Sequence, residues 1–264
     1  MKLPAAALLL ALAATGAQAA CSRELRIGVS SLGYAAYQQD GQMRGIIPDL
    51  VAALAQRSGC RLRLALRPRA RVMLEFEQGQ LDIVTSSIRT PERDRFGHFL
   101  PYAYAELDLL LLNETLPRTM RDLSQRPEFK LGLVRGVRLG DVLTDWVEPM
   151  LASKQAEYSP DFENLAAKLS AGRIQAALIP SIIHTKMRRD GLLPVQATAV
   201  DLTDAPPETI GLYVNRKNVP DADLQLLQRH VEALRREGQV QQVYARHIGE
   251  ADARRLFRSE PAAR

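Results

Sequence analysis

Cysteine, tryptophan and histidine are scarce in this sequence, which has two, one and four of them among its 264 residues. The histidines lie far apart and lack the spacing of metal ligands, so we expect no metal site. A Gly-x-Ser-x-Gly elbow, a phosphate-binding loop and a dinucleotide fingerprint are also missing from the sequence. These absences argue against a metalloenzyme, a serine hydrolase or a nucleotide-dependent enzyme, and no cofactor is expected.

Long apolar runs are missing as well, except at the start of the chain. Met1 and Lys2 precede an apolar stretch at residues 3–14, which leads to the small residues Ala17 and Ala19. This order is typical of a secretory signal peptide. No later segment approaches the run of about 20 apolar residues that a membrane-spanning helix needs. We therefore expect residues 1–19 to be removed and the mature protein to be exported to the periplasm.

Positive charge exceeds negative charge but is not concentrated in one segment. The 35 Lys and Arg residues outnumber the 30 Asp and Glu residues, which gives a formal net charge of +5. The arginines are spread along the chain and are not interleaved with aromatic residues, as a nucleic-acid site would require. We expect a solvated basic surface and no nucleic-acid partner.

The two cysteines, Cys21 and Cys60, form an even number in a sequence with export features, which favours one disulfide. On the chain-entropy model this bond stabilises the fold by about 3–4 kcal/mol. The alternative is a lipid anchor on Cys21, but the residues before it lack the leucine usual in lipoprotein signals.

The first part of the mature chain has the pattern of a parallel strand–helix–strand unit. Leu25–Val29 is a compact apolar run, residues 48–58 have apolar side chains at helical spacing, and residues 61–66 alternate as a strand does. Both strands of such a unit begin at the same edge of the sheet. Because each cysteine directly precedes one of these strands, the unit supports their pairing.

A helix, a glycine and an apolar strand follow one another twice, which predicts two similar α/β lobes. In the first case a helix at residues 70–78 ends at Gly79 and a strand follows at residues 81–84. In the second case Asp161 is the N-cap of a helix that ends at Gly172, and a strand follows at residues 174–179. Apolar strands at 107–112 and 209–214 are predicted to cross between the lobes, with hinges near residues 108–112 and 208–213. A helix at 221–237 is expected to return to lobe 1.

The predicted fold class is therefore α/β, with two lobes that each contain a mainly parallel sheet flanked by helices. Lobe 1 is predicted to comprise residues 20–110 and 210–264, and lobe 2 residues 111–209. A ligand cleft is expected between the lobes, where strand carboxyl ends and helix N-termini meet.

Several ordered segments resemble bacterial solute-binding proteins of family three, the polar-amino-acid type. They are Leu25-Arg26-Ile27-Gly28-Val29, Gly45-Ile46-Ile47-Pro48-Asp49-Leu50, Gly79-Gln80-Leu81-Asp82-Ile83, Thr90-Pro91-Glu92-Arg93, Pro101-Tyr102 and the C-terminal stretch 211–249. The resemblance implies a type II periplasmic-binding-protein fold that captures a small polar or anionic solute by cleft closure. It implies no enzymatic activity, a monomer, and delivery of the ligand to an ABC permease in the inner membrane.

The resemblance also implies a carboxylate clamp in lobe 1. Arg93 matches the arginine that binds the ligand's α-carboxylate in relatives, and a guanidinium suits the two oxygens of a carboxylate. Ser86, Ser87 and Ile88 match the residues that complete this site, although the family often has a hydroxyl at the position of Ile88.

Three further positions of lobe 1 match ligand contacts in relatives less closely. Tyr34 is near the aromatic residue that covers the ligand, and Ser30 is near a polar contact. Arg69 takes the place of a stacking aromatic residue, and it either faces the ligand or lies in solvent.

Lobe 2 departs from the family pattern. Amino-acid-binding relatives have an aspartate for the ligand's ammonium group where this chain has Pro180, followed by Ser181. The facing loop contains Arg135, Gly136 and Arg138 where relatives have small hydroxyl residues. We therefore expect a ligand with one or two anionic groups and no obligatory ammonium, unless both arginines point to solvent.

Two other functions stay open at this stage. One is a periplasmic sensory protein, which the sequence does not separate from a transport protein. The other is a cyclohexadienyl-dehydratase-like enzyme, which needs a general acid that lobe 2 does not supply at the expected position.

Overall fold

The computed structural model describes residues 20–113, 115–117, 119–202 and 207–258. The signal peptide predicted for residues 1–19 lies outside the described residues. The strands are β1 Leu25–Val29, β2 Tyr37–Gln39, β3 Gln42–Arg44, β4 Leu62–Leu66, β5 Ile83–Ile88, β6 Gly97–Ala105, β7 Leu107–Leu111, β8 Leu131–Val134, β9 Ala156–Ser159, β10 Ala176–Pro180, β11 Thr198–Asp201 and β12 Glu208–Asn215. The helices are α1 Ile46–Ser58, α2 Arg69–Glu77, α3 Pro91–Asp94, α4 Met120–Ser124, α5 Asp141–Ala152, α6 Phe162–Ser170, α7 Ser181–Arg189, α8 Asp221–Arg236, α9 Gln239–Ile248 and α10 Glu250–Arg258.

Two five-stranded sheets organise the molecule into two lobes. The first sheet has the order β4-β1-β5-β12-β6, and the second has the order β11-β7-β10-β8-β9. Strands β2 and β3 form a separate hairpin. The α/β, two-lobed fold expected from the sequence is confirmed.

The prediction of mainly parallel sheets needs a correction, because both sheets are mixed. In the first sheet β12 is antiparallel to both of its neighbours, and in the second sheet β7 is antiparallel to both of its neighbours. Each of these strands enters its sheet directly from the other lobe, so it starts at the cleft and runs away from it. The other four strands of each sheet share one direction and end at the cleft.

Helices cover both faces of each sheet. In lobe 1, helices α1, α8 and α9 pack on one face through residues such as Leu54, Leu227 and Tyr244, and α2 packs on the other through Val72 and Phe76. In lobe 2 the strand residues alternate between two cores. One core includes α4 and α5, and the other includes α6 and α7. This alternation follows from the period of two in a strand.

The chain crosses between the sheets twice, a little before the positions predicted from the sequence. Hinges were expected near residues 108–112 and 208–213, but β7 and β12 occupy these stretches and are hydrogen-bonded within the sheets. The first crossing is at Glu106, and the second lies between β11 and β12. Because β7 belongs to the second sheet, the first lobe boundary precedes the predicted residue 110.

The disulfide between Cys21 and Cys60 is present, with 4.8 Å between the Cα atoms. Leu25 and Leu62 pair at the same end of the parallel strands β1 and β4, which brings the two cysteines together. The prediction of this pairing is confirmed. Over the described residues, the helices include none with the length and apolar character of a membrane span.

Candidate functional site

A cavity of about 560 Å³ lies between the two sheets, at the carboxyl ends of their strands. Its size is within the range of small-molecule sites. Nine of the residues predicted to bind ligand line it: Ser30, Arg69, Ser86, Ile88, Arg93, Gly136, Arg138, Pro180 and Ser181. The sequence thus located the cleft, and whether these residues bind ligand stays a prediction.

Arg93 is held by a short, well-capped turn. Thr90 is the N-cap of α3, and its side chain accepts a hydrogen bond from the backbone of Arg93 at 3.3 Å. Tyr213 fixes the turn from β12, because its hydroxyl accepts from the Thr90 backbone at 3.1 Å and donates to Asp94 at 2.9 Å. The Arg93 guanidinium donates to the carbonyl of Ile88 at 2.8 Å. This leaves further N–H groups of the guanidinium for a ligand.

A β-bulge directs Ser86 into the cavity. Strand β5 has one residue more than β12 between the paired positions Ser87–Gly211 and Val84–Tyr213. The extra residue is accommodated by a left-handed backbone at Ser86, with φ of 51°. Bulges of this kind commonly change the direction of a side chain next to a binding site.

Arg69 extends from the first turn of α2 toward this bulge. Its guanidinium donates to the carbonyls of Thr85 and Ser86 at 3.1 and 3.3 Å and to Ser87 Oγ at 3.2 Å. The sequence left open whether Arg69 faces the cleft, and the structure places it there.

Arg69, Arg93 and Arg138 form no ion pair within 4.0 Å with the described residues, although all three line the cavity. Burial and the charge of Arg93 lower the pKa of Arg69 to about 10. Burial and the charge of Arg138 also lower the pKa of Arg93. The three guanidiniums therefore make this part of the cavity positively charged, although Arg138 is exposed to solvent and lies near Glu208.

The structure does not place Tyr34, Ser87 or Arg135 in the cavity lining. Tyr34 is 3% exposed, its ring packs against Tyr37 and His247, and Arg189 donates to its hydroxyl at 3.2 Å. Tyr34 is therefore packed within the protein and outside the cavity lining, and its contact with a ligand stays a prediction. Ser87 is fully buried and its hydroxyl supports Arg69 instead.

Ser30 presents a polar atom without a partner. Its Oγ is buried and has no hydrogen bond within the part of the chain that the structure describes, yet Ser30 lines the cavity. An unsatisfied buried hydroxyl costs free energy, and a polar ligand atom would remove that cost.

The structure also brings two carboxylates into the cavity that the sequence analysis did not identify. Asp108 is 1% exposed at the start of β7, and Glu106 is the residue at the first crossing. Asp108 contacts His184 Nε2 at 2.5 Å and both terminal nitrogens of Arg255 at 3.1 and 3.3 Å. Arg255 also donates to Glu106 at 2.6 Å. We refer to Glu106, Asp108, His184 and Arg255 as the crossing network.

Charge compensation keeps Asp108 ionised. Burial alone would raise the pKa of Asp108, but the hydrogen bond from His184 and the charges of His184 and Arg255 outweigh burial and lower it. A sequence signal for this site exists, since Asp108 interrupts an otherwise apolar strand, and a buried carboxylate needs a partner. No local pattern identifies Arg255 as that partner, because it is 147 residues away along the chain.

Glu208 borders the cavity at the start of β12 and was also missed. Its carboxylate packs against Gly140, the N-cap of α5, where a Cβ would collide with it. Burial and the charge of Asp141 raise the pKa of Glu208, although Arg138 acts in the opposite direction. Among the described residues, no group of three or more His, Cys, Asp and Glu is arranged to hold a metal.

The fold and the cleft agree with the comparison with known protein families. The model for bacterial extracellular solute-binding proteins, family 3, matches residues 25–250, and the chain belongs to this family. The resemblance seen in the sequence is thereby confirmed. A comparison with curated proteins gives no match.

Solved structures with the same fold include a transport protein, a sensor and an ancestral relative of an enzyme. An amino acid ABC transporter substrate-binding protein from Streptococcus pneumoniae, bound to L-arginine, is 17% identical, with a TM-score of 0.64 over 88% of this chain and 95% of that one. A histidine kinase sensor domain is 19% identical, with a TM-score of 0.68 over 86% and 96%. An ancestral amino acid-binding protein described as a precursor of cyclohexadienyl dehydratase is 22% identical, with a TM-score of 0.64 over 85% and 95%. Similarity at these identities establishes the fold alone.

Proposed function

We propose that this protein is the periplasmic solute-binding component of an ABC-type uptake system, and that it captures a small anionic solute, a carboxylate, by closure of the cleft. One observation carries the proposal. Arg69, Arg93 and Arg138 line the cavity without an ion-pair partner among the described residues, so a ligand anion is the missing partner.

The geometry of Arg93 favours a carboxylate as that anion. Its turn is fixed by Thr90 and Tyr213, so the guanidinium is positioned before a ligand arrives. Arg69 lies beside it, and Arg138 belongs to the loop after β8 on the opposite side. A carboxylate that binds Arg93 and Arg69 would meet Arg138 when lobe 2 closes, and water exclusion would strengthen these contacts.

The charge balance argues against an obligatory ammonium group on the ligand. Pro180 occupies the position where amino-acid-binding relatives have an aspartate. The carboxylates of Asp108 and Glu106 are engaged by Arg255. Glu208 lies next to Arg138 and against the N-terminus of α5. We therefore propose ligands such as dicarboxylates, keto acids or sulfonates.

The experiment is a thermal-shift screen of the mature protein, residues 20–264, against dicarboxylates, keto acids, sulfonates and amino acids. A ligand that binds only the native state raises the unfolding midpoint. We expect a shift with an anion that lacks an ammonium group, and we expect Arg93→Ala to abolish it. Loss of one bidentate ion pair lowers affinity by about 10- to 100-fold.

Arg95→Ala is the matched control, because Arg95 lies two residues away and is exposed to solvent. It should leave the shift unchanged. A shift with α-amino acids alone would contradict the proposed charge of the ligand and leave solute binding intact. Equal loss in both variants would contradict the role of Arg93.

The proposal includes no chemical step. A cyclohexadienyl-dehydratase-like reaction needs a proton donor in the closed cleft, and Glu208 is the cavity carboxylate with a raised pKa. If the protein turned over a cyclohexadienyl substrate and Glu208→Gln abolished that turnover, the enzymatic function would replace the binding function that we propose. A sensory role would be indicated by pull-down of a receptor kinase, and not of a permease, with the ligand-bound protein.

A further inference from the structure

Helix α10 forms one wall of the ligand cavity. Ala253 and Leu256 are buried against lobe 1, and the ring of Phe257 packs edge-on against Tyr244, with ring centroids 5.3 Å apart. Leu256 and Arg255 line the cavity. The family match ends at residue 250, the first residue of α10, so Arg255 and Leu256 lie outside the matched range.

The guanidinium of Arg255 extends from this wall to the first crossing and to lobe 2. It contacts Glu106 at 2.6 Å and Asp108 at 3.1 and 3.3 Å, and it donates to Ser181 Oγ at 3.4 Å. Ser181 is the first residue of α7, and Asp108 is in the second sheet. One cation of lobe 1 therefore compensates two carboxylates that face the ligand cavity.

These two carboxylates would attract a cationic ligand if Arg255 were missing. Both line the cavity, and Asp108 is 1% exposed, so its charge cannot be compensated by bulk water. His184 contacts Asp108 from one side, and Arg255 compensates both carboxylates from the other. Without Arg255, a ligand cation would be the group that takes over this second contact.

We propose that Arg255 determines ligand specificity by occupying, from within the chain, the position at which a ligand's cationic group would neutralise Asp108 and Glu106. This inference rests on the proposed function and refines it. The arginines of lobe 1 attract the ligand's anionic part, and Arg255 excludes ligands that carry an ammonium or guanidinium at their other end.

The test removes the guanidinium and asks whether a ligand replaces it. Arg255→Met keeps the aliphatic part of the side chain, and α10 stays anchored by Ala253, Leu256 and Phe257. Isothermal titration calorimetry with L-arginine and its neutral analogue L-citrulline should show at least a tenfold gain in affinity for L-arginine over the wild type. Citrulline should gain nothing, because it carries no guanidinium charge.

Two further variants make the result specific. Arg254→Met is the matched control, since Arg254 is 54% exposed on the same helix, and it should not gain L-arginine binding. The double variant Arg255→Met with Asp108→Asn should lose the gain, because it removes the carboxylate that receives the ligand's cation. No gain in Arg255→Met, or a gain that persists in the double variant, would overturn the inference.

A second readout covers loss of stability in Arg255→Met. Methylguanidinium at low millimolar concentration should raise the thermal midpoint of Arg255→Met and leave that of Arg254→Met unchanged. Arg254→Met should keep the anion binding of the wild type, and Arg93→Ala should lose it. These two results test the proposed function independently of the outcome with L-arginine in Arg255→Met. A destabilised variant that gains neither L-arginine binding nor methylguanidinium stabilisation would show that Arg255 is structural only.

Discussion

Two regions of the cavity contain charged side chains that are removed from water: the pair Arg69 and Arg93, and the crossing network. Only the crossing network contains charges of both signs. Arg69 and Arg93 are stabilised by carbonyl oxygens and have no described ion pair, whereas Asp108 contacts Arg255 and His184. Burial lowers the pKa of Arg69 to about 10, while compensation lowers the pKa of Asp108 despite burial.

On the proposed function, this difference separates a charge that binds a ligand from a charge that belongs to the fold. An uncompensated buried cation is unfavourable in the unliganded protein, and the ligand's anion relieves the cost. A compensated carboxylate is favourable only while its partners remain. Substitutions in the two regions should therefore have opposite effects on unliganded stability.

The largest effect is expected in the crossing network. Asp108→Ala leaves Arg255 and His184 without their shared acceptor, and loss of one member of a buried ion pair costs about 3–5 kcal/mol. Urea denaturation of the unliganded protein measures this change. Asp190→Ala, which removes a surface pair with Lys186, is the control and should cost below about 0.5 kcal/mol. Equal costs in the two variants would contradict the distinction between the regions.

A smaller effect, and a different one, is expected at Arg69. Arg69→Met removes a buried cation next to Arg93, so the unliganded protein should be at least as stable as the wild type. Affinity for the anionic ligand should fall about tenfold, or about 1.4 kcal/mol. Denaturation and calorimetry measure the two quantities separately. Arg67→Met, at an exposed position two residues earlier, should change neither. Lower stability of Arg69→Met together with unchanged affinity would make Arg69 a structural residue.

Sequence reasoning located most of the fold because its signals are local. Leu25–Val29 was predicted with its observed bounds, and Gly59, Asp161 and Gly172 occur at helix ends where capping rules place them. Arg93 was found through an ordered motif. The mixed direction of the sheets was missed, because it depends on where the chain crosses between lobes and not on any local pattern.

The same reasoning explains the missed part of the site. Asp108, Glu106 and Arg255 meet only after the chain has crossed between the sheets and α10 has packed on lobe 1. Their sequence separations are 147 and 149 residues, which no periodicity can connect. The packing of Tyr34 was likewise not predictable from local pattern, since its ring contacts that of His247, far along the chain.

The smallest effect is expected at Glu208, which belongs to neither region. Its pKa is raised in the folded protein by burial and by Asp141, so the native state disfavours the charged carboxylate. Proton linkage gives the sign of the pH dependence of stability, because the folded state keeps this proton to a higher pH than the unfolded state does. The contribution of Glu208 to the stability of the folded protein is most favourable below the ordinary glutamate pKa of about 4.3. It declines as the pH rises through the raised pKa of the folded state.

Glu208→Gln should therefore match the wild type near the acid end and become the more stable protein as pH approaches neutrality. The gain should stay below about 1 kcal/mol, since water screens a partly exposed carboxylate. Denaturation midpoints of both proteins across the acid-to-neutral range measure the divergence, with Glu148→Gln on the exposed side of α5 as the control. A wild type that is more stable than Glu208→Gln at neutral pH would mean that Arg138 and the N-terminus of α5 compensate the carboxylate. Glu208 would then be a paired charge, as Asp108 is, and Arg69 and Arg93 would remain the cavity charges that we propose bind a ligand.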